Sequence, residues 1–195
     1  MAVGIRFRGM KSITPFTAGI LILFVGACAT QQPLKSDIYG REVAETYLNQ
    51  GVAYAQKGDY GKAIDHYTKA LEADPGFRVA YLNRAFACSK LGEYDKAISD
   101  YNMAIEIFPR YAIAYNNRGY VYRKKGDFEK AISDYSKAVE IDKKYAVAYY
   151  NRGSLYYYQK QYDRALEDIQ KARSLGYPVS PGFLKALLEA STRQR

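Results

Sequence analysis

An all-α fold, a solenoid of stacked helix pairs, is predicted by three observations on the sequence. The chain of 195 residues aligns with itself four times at a period of 34. Within each copy, small and aromatic residues recur at spacings of four and seven, which mark one stripe of an α-helix. A glycine followed by an acidic residue separates the two stripes in most copies, as in a turn between helices. Because one helix pair cannot bury its apolar face alone, the copies are expected to stack around a shared core.

The first 25 residues differ from the repeat in composition. They carry Arg6, Arg8 and Lys11, then the mostly apolar run Ile13–Val25, and no acidic residue. A basic segment followed by an apolar run of this length predicts a secretory signal, and the run is too short to cross a bilayer comfortably.

The apolar run ends in Val-Gly-Ala-Cys at positions 25–28, which resembles the lipobox of bacterial lipoproteins. The resemblance implies a signal peptide over residues 1–27 and acylation of Cys28, with each buried CH₂ adding about 0.8 kcal/mol of membrane affinity. Ala29 rather than Asp follows, and by analogy with Gram-negative sorting this favours the outer membrane, facing the periplasm. An uncleaved anchor, or an ordinary signal peptide with a chance cysteine, is the alternative interpretation.

Export changes the interpretation of charge and cysteine content. Removal of the signal takes away three basic residues and leaves 26 Lys and Arg and 20 Asp and Glu. The net charge therefore falls from +9 to +6. In an exported protein this surplus points to acidic protein segments or anionic envelope surfaces rather than nucleic acid. With Cys28 lipidated, Cys88 is the single remaining cysteine, so no disulfide framework is expected. Residues 28–43 are predicted to be the lipidated N-terminus and a tether.

Two helices are predicted in each repeat. A first helix has a large residue, then a small one and an aromatic one, as at Tyr115, Gly119 and Tyr122. A second helix has alanines seven residues apart with an aromatic residue between them, as at Ala131 and Ala138. Small residues opposite large ones allow close approach of the two helices. The four predicted repeats are 44–77, 78–111, 112–145 and 146–179.

The turns within repeats carry Gly58, Gly92 and Gly126, where a left-handed conformation costs glycine little. In the fourth repeat Lys160 takes this place, so either it adopts a positive φ at a cost of ~1 kcal/mol or the turn differs. After a break at residues 175–178, apolar positions on one side predict a last helix. This capping helix and a basic tail occupy residues 180–195.

When the four copies are aligned, the residues at equivalent positions form columns. These columns resemble the tetratricopeptide repeat family, in which large, small, aromatic, Gly-x-aromatic, Ala, aromatic, Ala and Pro residues fall at these spacings. Pro75 and Pro109 close the first two repeats, and Lys143 stands at the third such position. The resemblance covers residues 44–179. It implies a right-handed superhelix whose first helices line a concave groove.

The sixth residue of each first helix faces that groove, as the resemblance implies. It is asparagine in every repeat: Asn49, Asn83, Asn117 and Asn151. Some members of the family hold the backbone of an extended peptide with such amides, which both donate and accept hydrogen bonds. The alternative is that these asparagines cap or bridge neighbouring helices, and that Arg84, Arg118 and Arg152 lie along the surface with buried stems.

The other predicted groove residues are aromatic or basic. Aromatic and arginine side chains dominate binding hot spots, so this surface suits a peptide with apolar and acidic side chains, or a C-terminal carboxylate. The residues are Phe86, Lys90, Tyr120, Arg123, Lys124, Tyr150, Tyr157 and Tyr158.

No catalytic or metal-binding constellation is evident, so an enzyme, a cofactor and a metal are not expected. His66 is interpreted as a surface or packing residue, and Gly61 with Lys62 lacks the remainder of a phosphate loop. Cys88 falls in an aromatic core column, which predicts an inert thiol. The acidic residues are interpreted as scattered over helix exteriors, without metal-ligand clustering.

The leading hypothesis is a membrane-anchored protein–protein interaction scaffold of the bacterial cell envelope. A second hypothesis is a lipoprotein that binds cell-wall glycan on its tyrosines. A third, a cytoplasmic nucleic-acid or regulatory module, requires that the predicted signal be wrong. The sequence leaves the partner and the oligomeric state open.

Overall fold

A computed structural model of the protein describes residues 35–194. The predicted signal peptide and Cys28 lie outside the described residues. Within the described range there are nine helices and no strand. They are α1 Lys35–Gln56, α2 Tyr60–Ala73, α3 Arg78–Lys90, α4 Tyr94–Ile107, α5 Ala112–Lys125, α6 Phe128–Ile141, α7 Ala146–Tyr158, α8 Tyr162–Ser174 and α9 Pro181–Gln194.

The helices pack in chain order. The pairs are α1 with α2, α3 with α4, α5 with α6, and α7 with α8, and each second helix also contacts the first helix of the following repeat. Helix α9 packs against α8 at the end of the stack. Because contacts run mainly between chain neighbours, the arrangement is that of a solenoid. The predicted all-α fold, four helix pairs and a final helix, is confirmed.

The first helix is longer than predicted, and this corrects residues 35–43 of the predicted tether, while residues 28–34 lie outside the described residues. Helix α1 has 22 residues and begins at Lys35, nine residues before the expected start of the repeat. Residues 36–43 contain no proline, so the sequence allows the helix to begin well before position 44. Arg41 holds the extension in place, because its guanidinium bonds Asp74 and lies 4.0 Å from the centre of the Phe77 ring.

Alanines and tyrosines form the core between paired helices. Each second helix carries two alanines seven residues apart, and these alanines are fully buried in all four repeats. Tyr67, Tyr101 and Tyr135 are buried between them. Glycine in the first helix makes room for these rings, because a Cβ on Gly119 would lie 2.9 Å from Cε1 of Tyr135. A methyl group there would force the ring to move, at a cost of about 1–3 kcal/mol.

In the last three repeats, an arginine pairs with a buried aspartate of its own repeat and also hydrogen-bonds a neutral side chain of the repeat before it. Arg118 on α5 donates to both carboxylate oxygens of Asp134 on α6, at 2.8 and 2.7 Å, and also to Asn102 on α4. Each such arginine therefore bonds two second helices at once. The same geometry joins Arg84 to Asp100 and Thr68, and Arg152 to Asp168 and Ser136.

These pairs correct two interpretations from the sequence. Asp100, Asp134 and Asp168 are buried rather than scattered over helix exteriors. The three arginines are fixed in bidentate pairs and do not simply lie along the surface. In the first repeat, which has no preceding repeat to join, Gln50 and His66 take the positions of the arginine and the aspartate.

The turns follow the prediction. Gly58, Gly92 and Gly126 have φ values of 80°, 79° and 85°, and Lys160 has a φ of 59°. The lysine therefore occupies the left-handed region that L-residues with a Cβ rarely adopt.

We expect Lys160→Gly to raise the free energy of unfolding by about 1 kcal/mol, because glycine adopts this φ without the Cβ clash. Urea denaturation followed by circular dichroism measures the change. Gln159→Gly is the matched control, since Gln159 has a φ of −80° and should lose stability on replacement. Equal effects at the two positions would contradict the prediction.

We expect Arg118→Leu to lower the free energy of unfolding by about 3–5 kcal/mol, because Asp134 is left buried and unpaired. The double variant with Asp134→Leu should recover most of this loss in the same urea titration. Lys130→Leu, which removes an exposed ion pair with Asp127, is expected to cost at most about 1 kcal/mol. A double variant no more stable than Arg118→Leu would refute the assignment.

Candidate functional site

The first helices of three successive repeats enclose a cavity. This central cavity has a volume of about 340 Å³ and is formed by α3, α5 and α7, with Tyr101 of α4 at its base. It brings together five of the residues predicted from the sequence. Its lining is Phe86, Ser89, Lys90, Tyr101, Asn116, Asn117, Tyr120, Val147 and Asn151.

A second cavity is formed by α5, α6, α7 and α9. This C-terminal cavity has a volume of about 440 Å³ and contains four more of the predicted residues. We call the two cavities together the groove. The lining of the second is Arg123, Phe128, Tyr150, Ser154, Leu155, Tyr157, Tyr158 and Phe183.

Three predicted residues line neither cavity. Asn49 on α1 is exposed, and Asn83 on α3 is half-buried. Lys124 is exposed beside the groove, with its Nζ 5.6 Å from the centre of the Tyr120 ring. The asparagine column therefore contributes to the cavities only through Asn117 and Asn151.

These two asparagines also belong to a network of side-chain amides that sequence reasoning missed. Asn116 donates to Oδ1 of Asn117 at 3.1 Å, and Asn151 donates to Oδ1 of Asn116 at 3.0 Å. Burial raises the pKa of Tyr101, and the neighbouring Asn117 amide opposes that rise. The network bridges α5 and α7 and holds the amides in fixed orientations at the cavity wall. Because each amide has two donors and two lone pairs, hydrogen-bonding capacity remains for a ligand.

Asn116 is the residue on which this network depends. It is buried, and it replaces Leu48, Leu82 and Tyr150 at the same position of the other repeats. A single polar residue at a position that is otherwise large and apolar or aromatic was the feature of the sequence that could have pointed to this network.

The groove is positively charged and aromatic. Lys90 Nζ lies 5.0 Å from the centre of the Phe86 ring, and the Arg123 guanidinium carbon lies 5.1 Å from that of Tyr120. Phe86 and Tyr120 are 42% and 37% exposed, so both rings remain available for contact. No aspartate or glutamate is among the lining residues of either cavity. This arrangement favours a ligand that combines apolar groups with negative charge.

The C-terminal cavity is partly covered by the chain itself. The Tyr150 ring stacks on Tyr177 at 4.3 Å, and the Tyr157 ring meets Phe183 of α9 edge-on at 5.2 Å. Both predicted groove tyrosines therefore also anchor the last helix. Tyr158 is 68% exposed and is the most accessible aromatic residue of this cavity.

A larger cavity, of about 640 Å³, lies between the second helices α6 and α8. Its lining includes Arg152 and Asp168, which are bonded to each other. These two charges already satisfy one another, so Arg152 and Asp168 act in packing between helices.

The described residues contain no group of three or more His, Cys, Asp or Glu side chains placed to hold a metal ion. Burial raises the pKa of Cys88 to about 11, so its thiol is protonated at neutral pH and is a poor nucleophile. His66 stacks on Tyr54 at 5.0 Å. Within residues 35–194, no helix has both the length and the apolar character needed to cross a membrane.

Family models and solved structures match the chain. Models described as TPR repeat match residues 87–126 and 119–160, and models described as tetratricopeptide repeat match 44–77, 66–99 and 146–175. No curated protein sequence matches the chain.

Three solved structures illustrate the likeness. The crystal structure of MamA is 29% identical, has a TM-score of 0.64, and covers 72% of this chain and 83% of that one. The first repeat domain of Spaghetti (RPAP3), bound to the HSP90 peptide SRMEEVD, is 30% identical with a TM-score of 0.59. The match covers 61% of this chain and 94% of that one. The first TPR domain of human RPAP3, solved by NMR, is 30% identical with a TM-score of 0.58. The match covers 69% of this chain and 98% of that one. The chain therefore belongs to the tetratricopeptide repeat family.

Proposed function

We propose that this protein is a lipid-anchored interaction scaffold of a bacterial cell envelope, whose groove holds an extended segment of a partner protein. The observation that carries the proposal is the central cavity, where three first helices present aromatic rings, the Lys90 cation and oriented amides together. The Spaghetti repeat domain bound to the peptide SRMEEVD supports a peptide as the ligand, and that peptide is itself rich in acidic residues.

Energies indicate which groups must contribute to binding. A hydrogen bond from an amide adds about 0.5–1.5 kcal/mol net, so Asn117 and Asn151 together supply about 1–3 kcal/mol. A micromolar complex requires about 8 kcal/mol. The remainder must come from the exposed rings of Phe86, Tyr120 and Tyr158 and from the cations beside them, which pair with acidic groups of the partner.

The anchor is proposed from the sequence. Cys28 follows a basic and then an apolar segment and is preceded by two small residues. Acylation there would attach the repeats to a membrane, and Ala29 after the cysteine favours the outer membrane with the repeats in the periplasm. The scaffold would then hold its partner at that membrane.

The groove is tested by photo-crosslinking in cells with a photoreactive amino acid at position 120 or at position 69. Position 69 lies on the second helix α2 and is exposed. We expect a partner adduct from position 120 and none from position 69, because only the first lies in the central cavity. Lys90→Glu in the position-120 protein should reduce the adduct at least about tenfold, since it reverses a charge in that cavity. Adducts from position 69 alone would refute the groove as the binding surface.

The anchor is tested by labelling cells with radioactive palmitate. We expect the wild-type chain to carry label and to sediment with membranes, and Cys28→Ser to abolish both, because the acyl chains provide the membrane affinity. Cys88→Ser is the matched control and should keep the label. Labelling that survives Cys28→Ser would remove the proposed anchor without affecting the groove.

A further inference from the structure

Aromatic rings form most of the wall of the C-terminal cavity. Neighbouring rings meet at steep angles: Phe128 and Tyr158 lie 5.2 Å apart at 60°, and Tyr157 and Phe183 lie 5.2 Å apart at 81°. The rings therefore present faces in several directions around one space. Its volume of about 440 Å³ is within the range of roughly 300–1,000 Å³ that is usual for small-molecule sites. The aromatic residues of the lining are Phe128, Tyr150, Tyr157, Tyr158 and Phe183.

The same wall carries hydrogen-bonding groups that the protein itself does not use. Within residues 35–194, the hydroxyls of Tyr150, Tyr157 and Tyr158 form no hydrogen bond. The Arg123 guanidinium has neither an ion pair nor a hydrogen bond within that range, and its Nε is buried. No aspartate or glutamate lines the cavity. Three hydroxyls and one cation without a protein partner therefore accompany the ring faces.

A well-matched ligand must use both the rings and these polar groups. An apolar peptide side chain would cover the rings but would bury the hydroxyls and the guanidinium without partners, which is costly. A quaternary ammonium group also fits aromatic rings, but the charge of Arg123 would repel it. A sugar ring has C–H groups on its faces and oxygen substituents around its edge. It can therefore stack on an aromatic face and form hydrogen bonds at its rim.

We propose that the C-terminal cavity binds a sugar of an N-acetylated cell-wall glycan. Tyr158, at the end of α7 and 68% exposed, provides the accessible ring face on which the sugar stacks. Arg123 donates to the acetamido carbonyl, because a guanidinium has only donors and its charge strengthens a bond to a good acceptor. The inference goes beyond the proposed function, since the central cavity remains for the partner protein. Tyr158 then contacts the glycan rather than the partner segment.

The test is isothermal titration calorimetry of the full chain with chitotetraose, a tetramer of N-acetylglucosamine. The chain is kept in a detergent whose headgroup contains no sugar, so that the detergent does not compete. We expect saturable binding of chitotetraose and binding at least about threefold weaker for cellotetraose, which has hydroxyls in place of the acetamido groups. Arg123→Gln should abolish this difference, because it removes the charged donor to the acetamido carbonyl.

A matched pair of tyrosine variants separates stacking from folding. Tyr158→Ala should weaken chitotetraose binding at least about tenfold, because it removes the exposed ring face. Tyr39→Ala is the control, since Tyr39 on α1 is 71% exposed and lies outside both cavities. It should leave the affinity unchanged. Both side chains are largely exposed, so both variants should keep the melting temperature of the wild type.

The outcomes distinguish the glycan site from the proposed function. A wild-type protein that does not bind chitotetraose would overturn the glycan site alone, because crosslinking from position 120 tests the partner protein independently. Equal affinities for the two sugars, or equal losses in Tyr158→Ala and Tyr39→Ala, would also overturn it. A protein adduct from a photoreactive amino acid at position 158 that excess chitotetraose does not reduce would assign this cavity to the partner protein instead.

The source of the sugar is tested by sedimentation with purified cell-wall sacculi. We expect the wild-type chain to sediment with the sacculi and excess chitotetraose to release it, and Tyr158→Ala to remain largely in the supernatant. Retention of Tyr158→Ala equal to that of the wild type would contradict the proposed site.

Discussion

The guanidinium groups of Arg84, Arg118 and Arg152 each bond an aspartate of their own repeat and a polar side chain of the preceding repeat. Each group thereby fixes a first helix against two second helices. The groove is a composite of side chains from three first helices, so its geometry depends on these junctions. The aspartate fixes the arginine within its own repeat, and the bond from that arginine to Thr68, Asn102 or Ser136 then sets the register against the preceding repeat.

Departures from the repeat give the groove its chemistry. The regular columns of alanine, glycine and tyrosine build four nearly equivalent helix pairs, and on their own they would produce four nearly equivalent surfaces. Asn116 and Arg123 each occur once in their columns, which otherwise hold Leu, Leu and Tyr, and Ala, Ser and Tyr. The first links α5 to α7 through amides, and the second brings a guanidinium whose Nε has no hydrogen-bond partner among residues 35–194. The third repeat is therefore the chemically distinct centre of an otherwise repetitive scaffold.

The two ends of the stack are closed by different means. At the N-terminal end, α1 is extended and held through Arg41 against Asp74 and Phe77. At the C-terminal end, Phe183 of α9 and Tyr177 before it pack on tyrosines of α7. This second closure engages Tyr150 and Tyr157, two of the aromatic residues that line the C-terminal cavity.

Sequence alone determined the helix pairs, the turn glycines and the buried alanine columns, because each depends on local conformation or on a period visible along the chain. It left open whether Lys160 adopts a positive φ, and the structure decided this. The sequence also placed nine of its twelve groove residues around the two cavities. Only the tertiary structure decided which polar groups pair: the arginine–aspartate junctions, the amide network of Asn116, and the use of Tyr150 and Tyr157 by α9. The physical reason is that a hydrogen bond requires atoms within about 3 Å. Which side chains reach that distance is set by the packing of three helices, which the pattern of residue types does not encode.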